Sequence, residues 1–143
     1  MTSPLEPRFQ EPSGWRWDYF KNPAGKKLRY GFAVPDGQVS ATVVILEGRG
    51  EFIEKYFETA RGFLEKGFAV LIMDWQGQGL SERDKDFPWR GHSPAFENHA
   101  EDLRRLLDHI RHTNALPEAP LVMLAQSMGA NIGLRFLHAY PDV

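Results

Sequence analysis

The spacing of apolar residues changes along the chain and divides it into two kinds of structure. Over residues 15–34, apolar and polar side chains alternate on either side of a turn at residues 22–25, which predicts an antiparallel β-hairpin. From residue 41 onward, continuous apolar runs alternate with stretches in which apolar residues recur every three or four positions. This second pattern predicts buried strands separated by amphipathic helices.

The second part of the chain predicts three strands and three helices in strict alternation. The apolar runs that predict buried strands occupy residues 41–46, 68–73 and 121–125. The stretches with helical spacing occupy residues 53–64, 96–110 and 131–140. Asn98 and Glu101 have the spacing of a capping box, which places the start of the second helix there. The order of hairpin and then β-α-β-α-β-α predicts an α/β fold, with helices covering both faces of a parallel sheet.

Two segments of unequal length follow from this pattern. Residues 1–14 contain three prolines and a glycine and predict a flexible N-terminal arm. Residues 15–143 predict a single domain, because a chain of 143 residues is long enough for one hydrophobic core and contains neither a linker nor a repeat.

Composition excludes several classes of function. A formal net charge of −2 gives no sign of nucleic-acid binding, and the absence of cysteine excludes disulfides, thiolate metal ligands and a cysteine nucleophile. His109 and His112 are helical neighbours, but Arg105 and Arg111 beside them favour a solvated basic face, and we expect neither a metal nor a cofactor. Without a secretory signal, or an apolar run long enough to span a membrane, a cytoplasmic location is expected.

A serine lies between the third predicted strand and the last helix. Ser127 has Ala125 and Gly129 two positions to either side, with Gln126 and Met128 between them. This is the pattern of a nucleophile elbow, a sharp strand-to-helix turn that exposes the serine Oγ above the sheet. Such a serine needs an adjacent base to become a nucleophile. The alternative is a serine that only caps the following helix.

Another loop, after the first buried strand, is expected at the same edge of the sheet. An acyl-transfer site needs two N–H donors for its oxyanion, and the backbone amides of Arg49 and Met128 are the candidates. Gly48 and Gly50 would let backbone and substrate approach closely, although an ordinary tight turn has the same composition. The two glycines also fit part of a dinucleotide fingerprint, but Ile53 stands where its third glycine belongs, so a nucleotide-binding oxidoreductase stays as an alternative.

The loop after the second buried strand is the third segment expected at this edge of the sheet. Residues 74–81 (DWQGQGLS) are rich in glycine, and Asp74 is expected to bond local amides as a structural residue. Under the nucleotide-binding alternative, Asp74 would be the acidic residue after the second strand.

These three loops, in this order, resemble the α/β-hydrolase superfamily. The chain is most similar to its lysophospholipase and monoacylglycerol-lipase branch, also grouped as serine aminopeptidase-like hydrolases. Residues 74–81 resemble the loop after that branch's fourth strand, and residues 48–56 resemble the oxyanion loop and helix of bacterial lysophospholipase-like members. The resemblance implies a serine hydrolase that cleaves carboxylic esters, with a lysolipid or another small ester as substrate, through an acyl-enzyme on Ser127. The chain departs from the pattern of this branch at two positions. It has Ala125 where the branch usually has glycine, and Glu47 where the branch often has histidine.

The resemblance also implies that parts of the catalytic machinery are missing. In this fold the triad runs serine, acid and histidine along the chain, and His138 is the only histidine after Ser127. His138 lies eleven positions along the same helix and is expected to point away from the site. We therefore expect a fold that is incomplete after the nucleophile helix, a nearly inactive fragment, and an open sheet edge that favours self-association. A non-catalytic acyl-binding module is the alternative, and peripheral membrane contact stays open.

Overall fold

The computed structural model describes residues 4–90 and 96–143. The strands are β1 (Arg16–Lys21), β2 (Lys27–Ala33), β3 (Thr42–Leu46), β4 (Ala69–Met73) and β5 (Leu121–Ala125). The α-helices are α1 (Phe57–Glu65), α2 (Phe96–Thr113) and α3 (Met128–Ala139). Short 3-10 helices cover Pro7–Phe9 and Ile53–Tyr56, and the second of these runs directly into α1.

The five strands form one mixed sheet in the order β1-β2-β4-β3-β5. The pairs β1–β2 and β2–β4 are antiparallel, whereas β3 pairs in parallel with both β4 and β5. The predicted hairpin and the predicted parallel β-α-β-α-β-α unit are therefore both confirmed. The hairpin extends the sheet beyond β4, so that the two parts share one hydrogen-bonded surface.

Helices cover both faces of the sheet, because β3 and β4 present apolar side chains alternately to each side. On one face Ile53, Phe57 and Ala60 pack against Val43 and Ile72. On the other face α2 and α3 pack together over the sheet. The members of that second core include Val44, Leu71, Leu103, Leu106, Ile132 and Phe136.

The strand β2 is more buried than its alternating pattern predicts. All its residues except Lys27 are buried, because β2 lies inside the sheet between β1 and β4 and is covered on both faces. The ring of Trp15 lies over Gly31, 2.5 Å from the position that a Cβ would occupy there. Glycine is thus required at position 31 for the tryptophan to cover the hairpin.

Two features differ from the predictions, the start of α2 and the burial of β5. The capping box is wrong, because α2 already includes Phe96 and Asn98 lies inside its first turn. The expected burial of the third strand is also wrong. β5 forms the sheet edge and pairs only with β3 within the described residues, so Val122 remains 48% exposed.

The N-terminal arm contacts the domain within residues 4–14. Arg61 of α1 donates hydrogen bonds to the carbonyl oxygens of Pro7 and Gln10, at 3.4 and 2.7 Å. The indole of Trp17 donates to Glu11 at 2.7 Å. The division of the chain at residue 14 stays a prediction. None of the described helices combines the length and the apolar character needed to cross a bilayer.

We predict that the 143-residue chain expressed alone self-associates. The β5 edge is unpaired on its outer side within the described residues, and α3 adds the exposed side chains of Leu134 and Leu137. Such an edge and such a patch favour association between chains. Sedimentation velocity over a range of concentrations should show oligomers, and Leu134→Lys with Val122→Lys should reduce them. A monomer at every concentration in the unmodified chain would contradict the prediction.

Candidate active site

Ser127 adopts a backbone conformation that few non-glycine residues accept. Its φ is 50° and its ψ is −119°, and Asn114 is the only other non-glycine residue with positive φ in the described part of the chain. Strained conformations of this kind cost about 1–3 kcal/mol and persist where the surrounding structure fixes them. The serine is exposed, and its side chain makes no capping bond to α3. The helix-capping alternative is therefore not what the geometry supports.

The tight turn is possible because α3 starts directly against β3. A Cβ at Gly129 would collide with the carbonyl oxygen of Leu46. Gly133 lies one helical turn later, and a Cβ built on it would be 3.1 Å from Cδ1 of Leu46 and 3.9 Å from Cβ of Ala125. The amide of Gln126 donates to the Leu46 oxygen at 3.2 Å. These close contacts hold Ser127 at the sheet edge.

The loop after β3 lies beside Ser127. A Cβ built on Gly48 would be 3.5 Å from Cβ of Ser127. The amide of Gly48 donates to Glu51 at 2.7 Å, and the amide of Gly50 donates to Gln78 at 2.8 Å. In contrast, the amides of Arg49 and Met128 have no acceptor among the described residues. The structure thus brings together the two predicted loops and leaves both predicted donors available.

Glu51 organises the loop after β3, and the sequence analysis did not identify it. Its carboxylate accepts hydrogen bonds from the Gly48 amide, from the Tyr56 hydroxyl at 2.5 Å and from Lys55 at 3.2 Å. Partial burial would raise the pKa of Glu51, but these bonds outweigh that effect and hold the pKa below its usual value. The only signal in the sequence was the spacing of four between Glu51 and Lys55.

Gln78 joins this loop to the loop after β4. Its Oε1 accepts the bond from Gly50, while its Nε2 donates to the carbonyl oxygens of Gly48 and Glu51, at 3.0 and 3.4 Å. Three bonds from one buried amide therefore fix the separation of the two loops. The geometry of the first loop depends on residues 74–81 through this side chain.

Asp74 holds the loop after β4 as the sequence analysis expected of a structural residue. Its carboxylate accepts the amides of Ile53 at 3.0 Å and Leu80 at 2.9 Å. Gly79 is required beside it, because a Cβ there would collide with the same carboxylate. The side chain of Asp74 is fully buried, and it makes a 2.6 Å bond with Nε of Arg29.

Arg29 connects Asp74 to Glu54 beneath the loops. Its guanidinium makes two bonds to Glu54, at 2.7 and 2.9 Å, in addition to the bond to Asp74. Burial alone would lower the pKa of Arg29, but the two carboxylates raise it above its ordinary value and keep the guanidinium charged. The pairing joins residues 45 positions apart, so no local pattern indicated it.

Glu47 is a buried acid at the end of β3. Its Oε1 accepts the Trp75 amide at 3.3 Å, and its Oε2 has no partner within the described residues. Burial, followed by the nearby charge of Asp74, raises its pKa to about 9. The carboxyl is therefore neutral at neutral pH, directly below the loop that carries Gly48.

We predict that Glu47 makes the folded protein less stable as pH rises. Its pKa rises from 4.5 to about 9 on folding, so between these values the folded chain holds a proton that the unfolded chain releases. The free energy of unfolding should fall by up to about 1.4 kcal/mol per pH unit in that window. Urea unfolding at several pH values should show this slope, and Glu47→Gln should flatten it. Glu58→Gln, at an exposed site on α1, is the control, and equal slopes in all three proteins would contradict the prediction.

The described histidines lie away from Ser127 or are packed in the interior. Arg105, Arg111 and His112 are exposed, as the predicted basic face requires, but His109 is half-buried, stacks on Phe20 and has its Nε2 3.2 Å from the Tyr30 hydroxyl. His99 is buried, which lowers its pKa to about 4. His138 is exposed near the end of α3. His92 lies outside the described residues.

Known proteins resemble the chain in both sequence and fold. The Hydrolase_4 family, described as serine aminopeptidase, S33, matches residues 37–143. The probable lysophospholipase L2 of Haemophilus influenzae is 30% identical over 123 residues, which cover 85% of this chain and 38% of that protein. Lysophospholipase L2 of Escherichia coli K12 is 38% identical over 101 residues, which cover 71% and 29% respectively. The chain thus spans about a third of the length of these curated relatives.

Solved structures support the same fold. A thermostable carboxyl esterase from Bacillus coagulans superposes with a TM-score of 0.77 at 21% identity, over 92% of this chain and 42% of the esterase. An esterase from Exiguobacterium antarcticum superposes with a TM-score of 0.67 at 21% identity, over 84% of this chain and 39% of the esterase. At these identities the structural likeness establishes the fold alone. Together with the family match, it shows that this chain belongs to the serine aminopeptidase (S33) family of α/β-hydrolases.

Proposed function

We propose that this chain carries the nucleophile and the oxyanion donors of a serine hydrolase that cleaves carboxylic esters. The observation that carries the proposal is the conformation of Ser127, an exposed serine with positive φ between β5 and α3. A serine that is strained and makes no capping bond has a geometry suited to attack on a substrate.

The developing negative charge would be stabilised by two backbone amides. The amides of Met128 and Arg49 are the donors, since both lack an acceptor in the described part of the chain and both neighbour the Ser127 turn. Met128 is also the first residue of α3, whose N-terminal end carries a partial positive charge. One such donor is worth about two to three orders of magnitude in kcat in a known serine hydrolase.

The surrounding residues shape the site without reacting. Small residues let the backbone segments approach each other, the buried carboxylate of Asp74 holds the loop after β4, and the backbone amide of the exposed Gln126 bonds the Leu46 oxygen. These site-shaping residues are Gly48, Gly50, Ala125, Gln126, Gly129 and Asp74.

The reaction follows from these roles. Ser127 Oγ attacks the ester carbonyl while a base takes its proton, and the oxyanion forms against the amides of Arg49 and Met128. Collapse of this intermediate releases the alcohol and leaves an acyl-enzyme, which water then hydrolyses. His138 is not the base, because eleven residues of helix place it roughly 16 Å from Ser127. We propose that the acid and the histidine belong to parts of the whole protein outside these 143 residues.

The substrate class is proposed from the relatives. Three of the curated relatives carry the name lysophospholipase L2, one of them as probable, and the chain is 30% to 38% identical to them over the matched residues. We therefore propose lysophospholipids or other lipid esters as substrates of the whole protein.

Labelling with a fluorophosphonate tests the proposal directly. The complete gene product should react with the probe, and mass spectrometry of the digested protein should place the label on Ser127. A label on another serine would contradict the proposal. Complete absence of labelling at every pH would instead favour the non-catalytic acyl-binding module.

The nucleotide-binding alternative needs a separate test. A dinucleotide-binding protein should gain stability at saturating NAD or NADP. We expect no shift in melting temperature, because Ile53 is fully buried where the fingerprint requires its third glycine.

A further inference from the structure

A cavity of about 640 Å³ lies between the loop after β3 and the loop after β4. It shares Arg49 and Gly50 with the loop beside Ser127, but Ser127 does not line it. Its volume lies in the range of small-molecule sites, about 300–1,000 Å³. The loop after β3 therefore lies between Ser127 and the cavity, and a ligand could contact both by lying along this loop.

Arg83 supplies a fixed positive charge in this cavity. Its guanidinium donates to the carbonyl oxygens of Gly77 at 2.8 Å, Gly79 at 3.0 Å and Pro88 at 3.2 Å. Carbonyl oxygens position the group but do not neutralise it, and Arg83 forms no ion pair within the described ranges. A guanidinium has five N–H donors, so donors remain for a ligand.

Arg49 supplies a second charge. It is exposed at the tip of the loop, and its side chain makes neither an ion pair nor a hydrogen bond with any described residue. The other charged groups of the cavity, Arg29 and Glu54, pair with each other through two bonds. Arg29 also bonds the buried carboxylate of Asp74 behind the cavity wall. Arg49 and Arg83 are therefore the lining groups whose charge is offset by no ion pair among the described residues, and two guanidinium groups suit a ligand with two or more anionic oxygens.

The rim of the cavity is apolar. Leu80 is 65% exposed, Trp89 is 74% exposed, and Phe52 is 39% exposed. A ligand that carries an anionic group and an apolar part would contact both the basic interior and this rim.

We infer that this cavity binds a phosphate group through the side chains of Arg49 and Arg83. Phosphate offers several anionic oxygens to a planar guanidinium, and charge-assisted bonds of this type are about twice as strong as neutral ones. The phosphate has two sources, the headgroup of a lysophospholipid substrate or free inorganic phosphate. The first source rests on the proposed function, because it requires that the ester of the same molecule reaches Ser127.

Calorimetry on the complete gene product tests binding without reference to activity. Inorganic phosphate and glycerol 3-phosphate are titrated into the unmodified protein and into Arg49→Gln, Arg83→Gln and Arg105→Gln. Arg105 is an exposed arginine on α2 outside the cavity and is the matched control. Binding should weaken at least tenfold in the first two variants and stay unchanged in the control. Should Arg83→Gln fail to fold, Arg49→Gln decides, because its side chain makes no bonds to the described residues.

Kinetics then distinguish the two sources. The ratio of kcat/KM for a lysophosphatidylcholine to that for a monoacylglycerol with the same acyl chain should fall at least tenfold in Arg49→Gln and Arg83→Gln. Phosphate binding with an unchanged ratio would assign the cavity to free phosphate. If the protein does not bind phosphate and the ratio does not change, the inference is overturned, even if Ser127 still reacts with fluorophosphonate. If Ser127 does not react, the proposed function fails and calorimetry alone decides the inference.

Discussion

Replacing Ser127 with alanine in the complete protein is expected to lower kcat for ester hydrolysis by about three to six orders of magnitude. The loss has this size because the serine, its base and its acid act as one unit, and removal of the nucleophile leaves only binding and the oxyanion donors. KM should change little, since Oγ protrudes into solvent and fixes no other part of the site. Initial rates on a chromogenic ester measure both constants.

Two comparisons make this result specific to Ser127. Ser13→Ala removes an exposed serine of the arm and should leave the rate unchanged. The 143-residue chain alone should hydrolyse the ester about three to five orders of magnitude more slowly than the complete protein, because the proposed base and acid are not part of it. A Ser127→Ala protein that keeps a tenth of the activity would refute the nucleophile assignment.

The elements of the fold could be predicted because their patterns are local. The strands β3 and β4 are buried on both faces, which requires a continuous apolar run, whereas α1 and α2 are buried on one face, which requires apolar residues every three or four positions. Both patterns can be seen within a few consecutive residues. The Ser127 turn was also visible, since small residues at 125 and 129 are a local steric requirement. Its strained φ and the contact of Gly129 with Leu46 emerge only when α3 packs on β3.

The supports of the site could not be predicted, because they join distant segments. Gln78 was seen only as part of a polar loop, yet it holds the loop after β3 from 28 positions away. The burial of β5 was misjudged for a related reason. An apolar run indicates that a strand is fit for burial, but the exposure of Val122 depends on which strands lie beside it.

The second large effect is expected at Asp74. We predict that Asp74→Ala lowers the free energy of unfolding by about 3–5 kcal/mol, the usual cost of removing one partner from a buried ion pair. Arg29 is only 4% exposed, so its charge cannot turn to water, and the amides of Ile53 and Leu80 lose their acceptor. Urea unfolding of the complete protein measures the change. Asp36→Ala, at an exposed turn aspartate, is the control and should change stability by less than about 0.5 kcal/mol.

A double-mutant cycle separates the buried charge from the other contacts of Asp74. In the unmodified background Asp74→Ala leaves the buried guanidinium of Arg29 with Glu54 as its one remaining carboxylate partner among the described residues. In an Arg29→Met background there is no guanidinium to lose a partner, so Asp74→Ala should cost less there, with a coupling of about 1–3 kcal/mol. Equal costs in both backgrounds would show that the amide bonds to Asp74 carry the whole effect. Asp74 also fixes the loop that carries Gln78, and Gln78 holds the amide of Gly50. The same substitution should therefore slow the reaction of Ser127 with fluorophosphonate, whereas Asp36→Ala should not.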